Sequence, residues 1–341
     1  MKTLRGLILS LVGVSILFSC RPEEEKGADN VQLTNPLPSW NEGKTKASII
    51  EFIEKSTDKN SPTFVPEEDR IACFDNDGTL WSEKPFYFQL FYIIDRVKAT
   101  ADQHPEWKNT QPYKAILEND LAQLKKTDVH QLLELVQNTL AGSTPAEYKE
   151  MVKAWMATAQ HPTKHKRFDQ LVYQPMLELL DYLRANGYKT YIVSGGGVDF
   201  MRATLTNVYG IPSEQIIGSS LKTKFNSENG NYSITRLPKI GFIDDKDGKP
   251  LNINTIIGKK PTFCAGNSDG DLPMMQWTSS QGDKAFMLYV HHTDVKREWA
   301  YDRNSSVGRL NKGLDQALKD GWTIADMKDD WKVIYPFELK K

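Results

Sequence analysis

Asp75-Asn76-Asp77-Gly78-Thr79-Leu80 follows directly on the apolar run Ile71-Ala72-Cys73-Phe74. A short apolar run that stops at a polar turn predicts a buried strand, with Asp75 opening the turn. If strand geometry persists, two carboxylates two residues apart point to one side. Gly78 permits a sharp turn, and Thr79 brings a hydroxyl and a backbone N–H. The same strand-then-polar-turn pattern recurs downstream. Tyr188-Lys189-Thr190-Tyr191-Ile192-Val193 runs into Ser194-Gly195-Gly196-Gly197, and Pro261-Thr262-Phe263-Cys264-Ala265 runs into Gly266-Asn267-Ser268-Asp269-Gly270-Asp271. Further strands are expected at 215–219 and 284–290. Helical periodicity fills the intervals, as at 172–186, closed by Gly187, and at 200–209. Strands alternating with helices predict an α/β protein with a parallel, doubly wound sheet. In such sheets ligands sit at the carboxyl ends of the strands, where these polar turns lie.

Outward from this frame, residues 82–187 are far more than a crossover needs. Their amphipathic stretches at 88–94, 117–124 and 130–140 predict an inserted, mostly helical domain. Lys44 to Lys55 suits another amphipathic helix. Asn226 to Lys249 is rich in Asn, Gly, Asp and Lys, which predicts hairpins. Asn30 to Asn41 reads as a polar linker, and Arg297 to Asp302 as a surface helix. Cys73 and Cys264 sit in apolar strands and read as buried thiols, able to pair only if those strands are neighbours.

Composition narrows the partners. The 341 residues carry 43 Lys plus Arg against 44 Asp plus Glu, a net charge of −1, so nucleic acid is a poor partner. Lys2 and Arg5 precede an apolar run from Leu7 to Phe18 that ends in Leu17-Phe18-Ser19-Cys20. The run has the length of a signal-peptide core, and its end resembles a bacterial lipobox. The resemblance implies removal of residues 1–19, a lipidated Cys20, an anchored tether over 20–42, and a bacterial cell-envelope location facing the periplasm or the surface. The folded core is then expected at 43–81 and 188–341, with the cap at 82–187.

The string Asp75 to Leu80 resembles motif I of the haloacid dehalogenase (HAD) superfamily, D-x-D-G-T-L. Three more segments match its motifs in order: Ser194 after its strand, a lysine ahead of the last turn, and Gly266 to Asp271. The resemblance implies a HAD-like Rossmannoid sheet with a helical C1 cap, of the phosphoserine-phosphatase-like branch. It implies a Mg²⁺-dependent phosphatase acting on a small phosphorylated substrate. Asp75 would be the nucleophile, because a carboxylate needs no base to attack phosphorus, and Asp77 the general acid and base. Thr79, Ser194 and Gly195 would bind the phosphoryl group and Lys249 would neutralise it. Mg²⁺ would be held by Asp75, Asp77, Asn267 and Asp271.

Several assignments stay open at this level. Lys246 competes with Lys249, and Lys249 itself could be a solvated hairpin lysine. Asn267 stands where the family often has a carboxylate, so Asn267, Asp269 and Asp271 all compete for the metal. Glu83 is either a substrate-reading acid or a surface residue at the cap hinge. A dinucleotide fingerprint fails, because its spacing would need glycine at Phe200. His291 and His292 point to opposite faces of a strand end, which disfavours a shared metal and reads as solvent or packing roles. The competing functions are a phosphotransferase or phosphomutase, and a non-catalytic lipoprotein that binds a phosphorylated ligand.

Overall fold

The computed structural model describes residues 35–124, 135–139 and 142–339. The expected leader, Cys20 and residues 20–34 of the expected tether fall outside these residues, as does most of the expected helix at 130–140. Among the described residues, no helix is long and apolar enough to cross a membrane.

Among the described residues eight strands form one sheet: β1 (Ile71–Phe74), β2 (Lys189–Gly197), β3 (Ile216–Glu228), β4 (Asn231–Phe242), β5 (Phe263–Gly266), β6 (Phe286–Thr293), β7 (Ala300–Tyr301) and β8 (Thr323–Asp326). The order is β4-β3-β2-β1-β5-β6-β7, with β8 also paired to β6. β1, β2, β3, β5, β6 and β8 run parallel, while β4 and β7 are antiparallel at the margins. The chain leaves β1 for β2 on one side and returns to β5 on the other. The switch point therefore falls at the carboxyl end of β1, where Asp75 stands.

β1 is short and apolar because both its faces are covered. Ala72 and Phe74 enter one core, with Ile192 of β2 and Phe263 and Ala265 of β5. Ile71 and Cys73 enter the other, with Val193 and Cys264. Cys73 and Cys264 are direct neighbours on adjacent strands and are both buried free thiols.

The segment between β1 and β2 is helical, including Phe88–Thr100, Pro145–Thr158 and Gln174–Ala185. Helix Pro145–Thr158 opens on a capping box: Thr144 Oγ1 accepts from Glu147 N–H, and the Glu147 carboxylate accepts from Thr144 N–H. Apolar residues of this insertion, such as Tyr92, Val152 and Phe168, belong to the same cluster as Phe74 and Ile192. The insertion thus packs onto one face of the sheet.

The structure corrects five local expectations. The 117–124 stretch is no single helix: Tyr113–Leu117 ends before Asn119, which has φ +55°, and Leu121–Leu124 starts a new turn. Residues 297–302 are turns leading into β7 rather than a surface helix. Ser194 to Gly197 continue β2 as extended chain, with an irregularity in the register to β3, instead of turning. The hairpin is one long arm, β3–β4, and Lys249 lies beyond it in helix Gly248–Ile256. The linker reading fails at its end, because Leu37 and Trp40 are fully buried. Trp40 packs edge-on against Trp331 at 5.8 Å and donates Nε1–H to Pro175 O at 2.9 Å.

Candidate active site

Asp75 ends β1 at the floor of a cavity of about 240 Å³. Lys249 reaches that floor from the first turn of its helix. Its Nζ donates to Asp75 Oδ1 at 2.6 Å, Asp271 Oδ1 at 2.6 Å and Val193 O at 2.8 Å. Lys249 is only 2% exposed, which removes the solvated-lysine reading. Lys246, its rival, is exposed, with φ +51°.

Asp271 holds its own loop together. Its Oδ2 accepts from the N–H groups of Asn267 and Ser268, both at 3.0 Å, and from Ser268 Oγ at 3.1 Å. With Oδ1 on Lys249, both oxygens are engaged, so Asp271 serves as an anchor for the loop and the lysine. Asp269 turns elsewhere. Its Oδ1 accepts from Asn311 N–H and Gly313 N–H, each at 2.9 Å, around the start of helix Lys312–Asp320.

Asp77 is half-buried and accepts Trp81 Nε1–H on Oδ1 at 2.8 Å. Between the two acids and Asn267 the chain must pass very close. Gly78 has φ +75°, and a Cβ there would lie 2.0 Å from Asn267 Nδ2. Only glycine fits this position. Asn267 donates Nδ2–H to Glu83 Oε1 at 2.7 Å, and its Oδ1 accepts from Thr79 Oγ1 at 3.3 Å. Thr79 is fully buried beneath the floor and does not line the cavity, which corrects its expected role as a phosphoryl ligand. Its side chain orients Asn267 instead. Ser194 and Gly195 do line the cavity. Ser194 Oγ accepts Gly196 N–H at 3.1 Å, which leaves its own proton for a ligand.

Glu83 is buried, not a surface hinge residue, and lines the cavity. Besides Asn267, its Oε1 accepts from Tyr301 Oη at 2.8 Å. Asp245, also on the cavity wall, was hidden in a polar stretch that reads as hairpin. His292 packs behind the Asp75 loop. It is buried, and its Nε2–H donates to Gly78 O at 2.7 Å. Its Nδ1 faces Glu298 Oε2 at 3.1 Å, and Tyr173 Oη donates to Glu298 Oε1 at 2.9 Å. His292 thus fixes the Asp75 loop from behind. His291 stands half-buried on the other face, 3.6 Å from Asp302.

The electrostatics of the floor are unbalanced. Burial, then the charge of Asp271, push the Asp75 carboxyl well above the usual carboxylate range, against the pull of Lys249. Burial raises Asp77 to about 6, opposed by the Trp81 hydrogen bond and by Lys249. Burial also pushes Glu83 up, against its hydrogen bond from Tyr301. Burial disfavours the Lys249 charge, but Asp271 and Asp75 outweigh it and hold the ammonium protonated. Two acids sharing one lysine cannot both ionise without a net buried charge, so Asp75 rises while Lys249 stays charged.

Asp75, Asp77, Glu83 and Asp271 face a single lysine, and that excess suits a divalent cation. Among the described residues, no three His, Cys, Asp or Glu side chains converge to cage a metal unaided. Mg²⁺ needs no such cage, since it takes one or two carboxylates and keeps water and phosphate as its other ligands. The oxygen donors at this floor fit it.

The family model of haloacid dehalogenase-like hydrolases matches residues 72–276, from β1 through the loop of Asp271. The chain belongs to the haloacid dehalogenase-like hydrolases. Among solved structures, a conserved protein of unknown function from Anaerococcus prevotii DSM 20548 is 17% identical with a TM-score of 0.50, covering 86% of this chain and 94% of that one. A protein of unknown function from Bordetella pertussis Tohama I is 15% identical with a TM-score of 0.47, covering 76% and 98%. A probable phosphoserine phosphatase from Vibrio cholerae is 17% identical with a TM-score of 0.36, covering 67% and 58%. At these identities the likeness is one of fold. Comparison with the curated proteins gives no match. The HAD sheet places the loops after β1, β2 and β5 side by side, which is why motifs far apart in sequence meet on one floor.

Proposed function

We propose that this HAD hydrolase cleaves small phosphate monoesters through an aspartyl-phosphate on Asp75. The observation that carries the reading is the Lys249 ammonium lying 2.6 Å from both Asp75 and Asp271 on a cavity floor, with Asp77 two residues further on. Lys249 holds one oxygen of Asp75, which directs the other at phosphorus. The Asp75 oxygen forms a bond to phosphorus as the ester P–O bond breaks. Asp77, with its pKa near 6, passes a proton to the departing oxygen. It then takes a proton from the water that attacks phosphorus, and the Asp75–phosphorus bond breaks to release phosphate. Lys249 and the Ser194 hydroxyl offset charge on the phosphoryl oxygens.

Asp75, the main-chain carbonyl of Asp77 and the Asn267 side-chain oxygen would hold Mg²⁺. When bound, Mg²⁺ supplies positive charge against Asp75 and the phosphoryl group. The insertion over 82–187 acts as a C1-type cap that sheds water from the floor. The lipobox-like end of the leader supports attachment through lipid on Cys20, with the enzyme acting outside the cytoplasm.

The test is phosphate release from a panel of monoesters, with Mg²⁺ and with EDTA, by the native protein and by Asp75→Asn. Metal-dependent release that Asp75→Asn abolishes supports the mechanism; unchanged release by Asp75→Asn refutes it. An added alcohol acceptor separates hydrolysis from phosphotransfer. Labelling with a radioactive fatty acid, lost in Cys20→Ser, tests the anchor.

A further inference from the structure

Above its acidic floor the cavity changes character. Leu90 and Ile93 enter it from helix Phe88–Thr100, Phe200 from helix Val198–Tyr209, Leu221 from β3, and Ile240 and Phe242 from β4. Four separate elements therefore supply one apolar sleeve. Several polar groups of this wall are engaged by the protein itself, while the Tyr148 hydroxyl is buried without a partner among the described residues. Gln89 Oε1 accepts Gly197 N–H at 2.7 Å, and Asp199 Oδ2 accepts Arg236 Nε–H at 2.9 Å. Ser219 Oγ donates to Gly195 O at 2.8 Å and accepts Asp244 N–H at 3.0 Å. A sugar or amino acid entering here would lose its water without gaining partners from these groups.

Charge recognition is equally constrained. Besides Asp199, two acids stand on the wall beyond the floor: Asp245 lies against the floor loops at Gly195 and Gly270, and Glu83 Oε1 already accepts from Asn267 and Tyr301. Gly308 closes on the same oxygen: a Cβ there would lie 1.8 Å from it. Glu83 is built into the wall.

We propose that the organic half of the substrate is a compact, uncharged apolar group, either a branched alkyl chain or a single ring. This rests on the phosphomonoester reading and deepens it. The cavity volume of about 240 Å³ sets the size. A dry cavity of roughly 150 Å³ accepts benzene, so one such group fits beside a phosphoryl moiety and a nucleoside does not.

The experiment uses the purified full chain with Mg²⁺ and four esters of primary alcohols: 3,3-dimethylbutyl phosphate, its cationic isostere phosphocholine, glycerol 3-phosphate and glucose 6-phosphate. The expected kcat/KM for the dimethylbutyl ester is about 100-fold above that for glycerol 3-phosphate, from burial of one tert-butyl group. It should also exceed that for phosphocholine. Leu221→Asn and Ile240→Asn, at half-buried strand positions, should raise KM for the dimethylbutyl ester about tenfold and so narrow its preference over glycerol 3-phosphate by that factor. A preference for phosphocholine, or for either polyol ester, overturns the proposal. Calorimetric binding of 3,3-dimethylbutylphosphonate against methylphosphonate separates the two ideas. Tighter binding of the larger phosphonate without turnover of any ester leaves the apolar site standing and sinks the phosphatase reading. Equal binding sinks the apolar site.

Discussion

Replacing Lys249 by Met tests the charge account of the floor. The side chain is 2% exposed and donates to Asp75, Asp271 and Val193 O. Methionine fills much of the same volume, so the principal loss is the ammonium. Removing one partner of a buried ion pair costs about 3–5 kcal/mol, because the other charge stays buried. Unfolding entropy near 2.1 cal/mol/K per residue, over a unit of about 300 residues, converts this to a fall in Tm of roughly 5–8 °C. The pH dependence has a definite sign. Lys249 holds the Asp75 carboxyl down against burial and Asp271. Without it Asp75 rises further, so the folded chain binds a proton that the unfolded chain releases. That favourable contribution is lost as pH rises through the folded value. The deficit of Lys249→Met is therefore largest near pH 8 and shrinks toward pH 5. Lys249→Met/Asp75→Asn, which removes one stranded charge, should recover part of the loss at pH 8. The assay is thermal unfolding in EDTA across this range, with phosphate release alongside, where Lys249→Met should lose at least about 100-fold in kcat. A Tm within 1–2 °C of the native protein at pH 8, or a deficit that grows toward acid, refutes the reasoning.

Asn267→Asp takes the amide donor from Glu83 and adds a carboxylate. It should lower Tm in EDTA, by about 1–3 kcal/mol of stability, and tighten Mg²⁺ binding measured by calorimetry. His292→Ala takes the imidazole from Gly78 O and removes one of the partners of Glu298, which keeps Tyr173 Oη and Trp299 N–H. The expected loss is about 2–4 kcal/mol in denaturant unfolding, with kcat falling more than KM changes; His292→Gln should restore part of both. Trp40→Ala should cost about 3–5 kcal/mol, and a truncation starting at residue 43 should unfold at lower temperature than one starting at 36. His161 is buried, its Nε2–H donates to Lys84 O, and burial lowers its pKa despite that bond. Its neutral form is favoured in the fold, so its contribution is full above the unfolded value near 6.5 and is lost as pH falls below it. Tm measured from pH 8 to pH 5 should therefore fall more in the native protein than in His161→Gln.

The legible part of the protein is the part whose signal is local. β1 and β5 are short apolar runs stopped by polar turns, and β2 has such a run at its centre before Ser194 to Gly197 extend it; burial on both faces imposes that pattern whatever surrounds it. Asp75 and Ser194 follow, because each sits at such a stop, whereas Lys249 lies in helix Gly248–Ile256 and is told from Lys246 only by its burial against Asp75. Thr79 was misplaced because Gly78, at φ +75°, turns the chain before the hydroxyl can face the cavity. His292 and Tyr301 come from the β6–β7 region and reach Gly78 and Glu83 across more than 200 residues, with no periodicity to mark them. Leu37 and Trp40 are two apolar residues among polar neighbours. Neither makes a pattern, and only the tertiary partner Trp331 gives them a place.

The amide at 267 then takes on a physical meaning. A carboxylate there would lie against Glu83, which is already pushed up by burial, and would add a further acid to four that share one lysine. Asparagine keeps an oxygen within the donor set while its N–H₂ group bonds to Glu83. Glu83 Oε1, Tyr301 Oη and the Asn267 amide then form a chain whose members are partnered before any ligand arrives, and Thr79 closes its other end. The floor can thus be organised without metal at the expense of binding charge, so metal affinity and resting stability should move in opposite directions when residue 267 is changed. A carboxylate at 267 that raised both together would mean that the Glu83 contact is incidental.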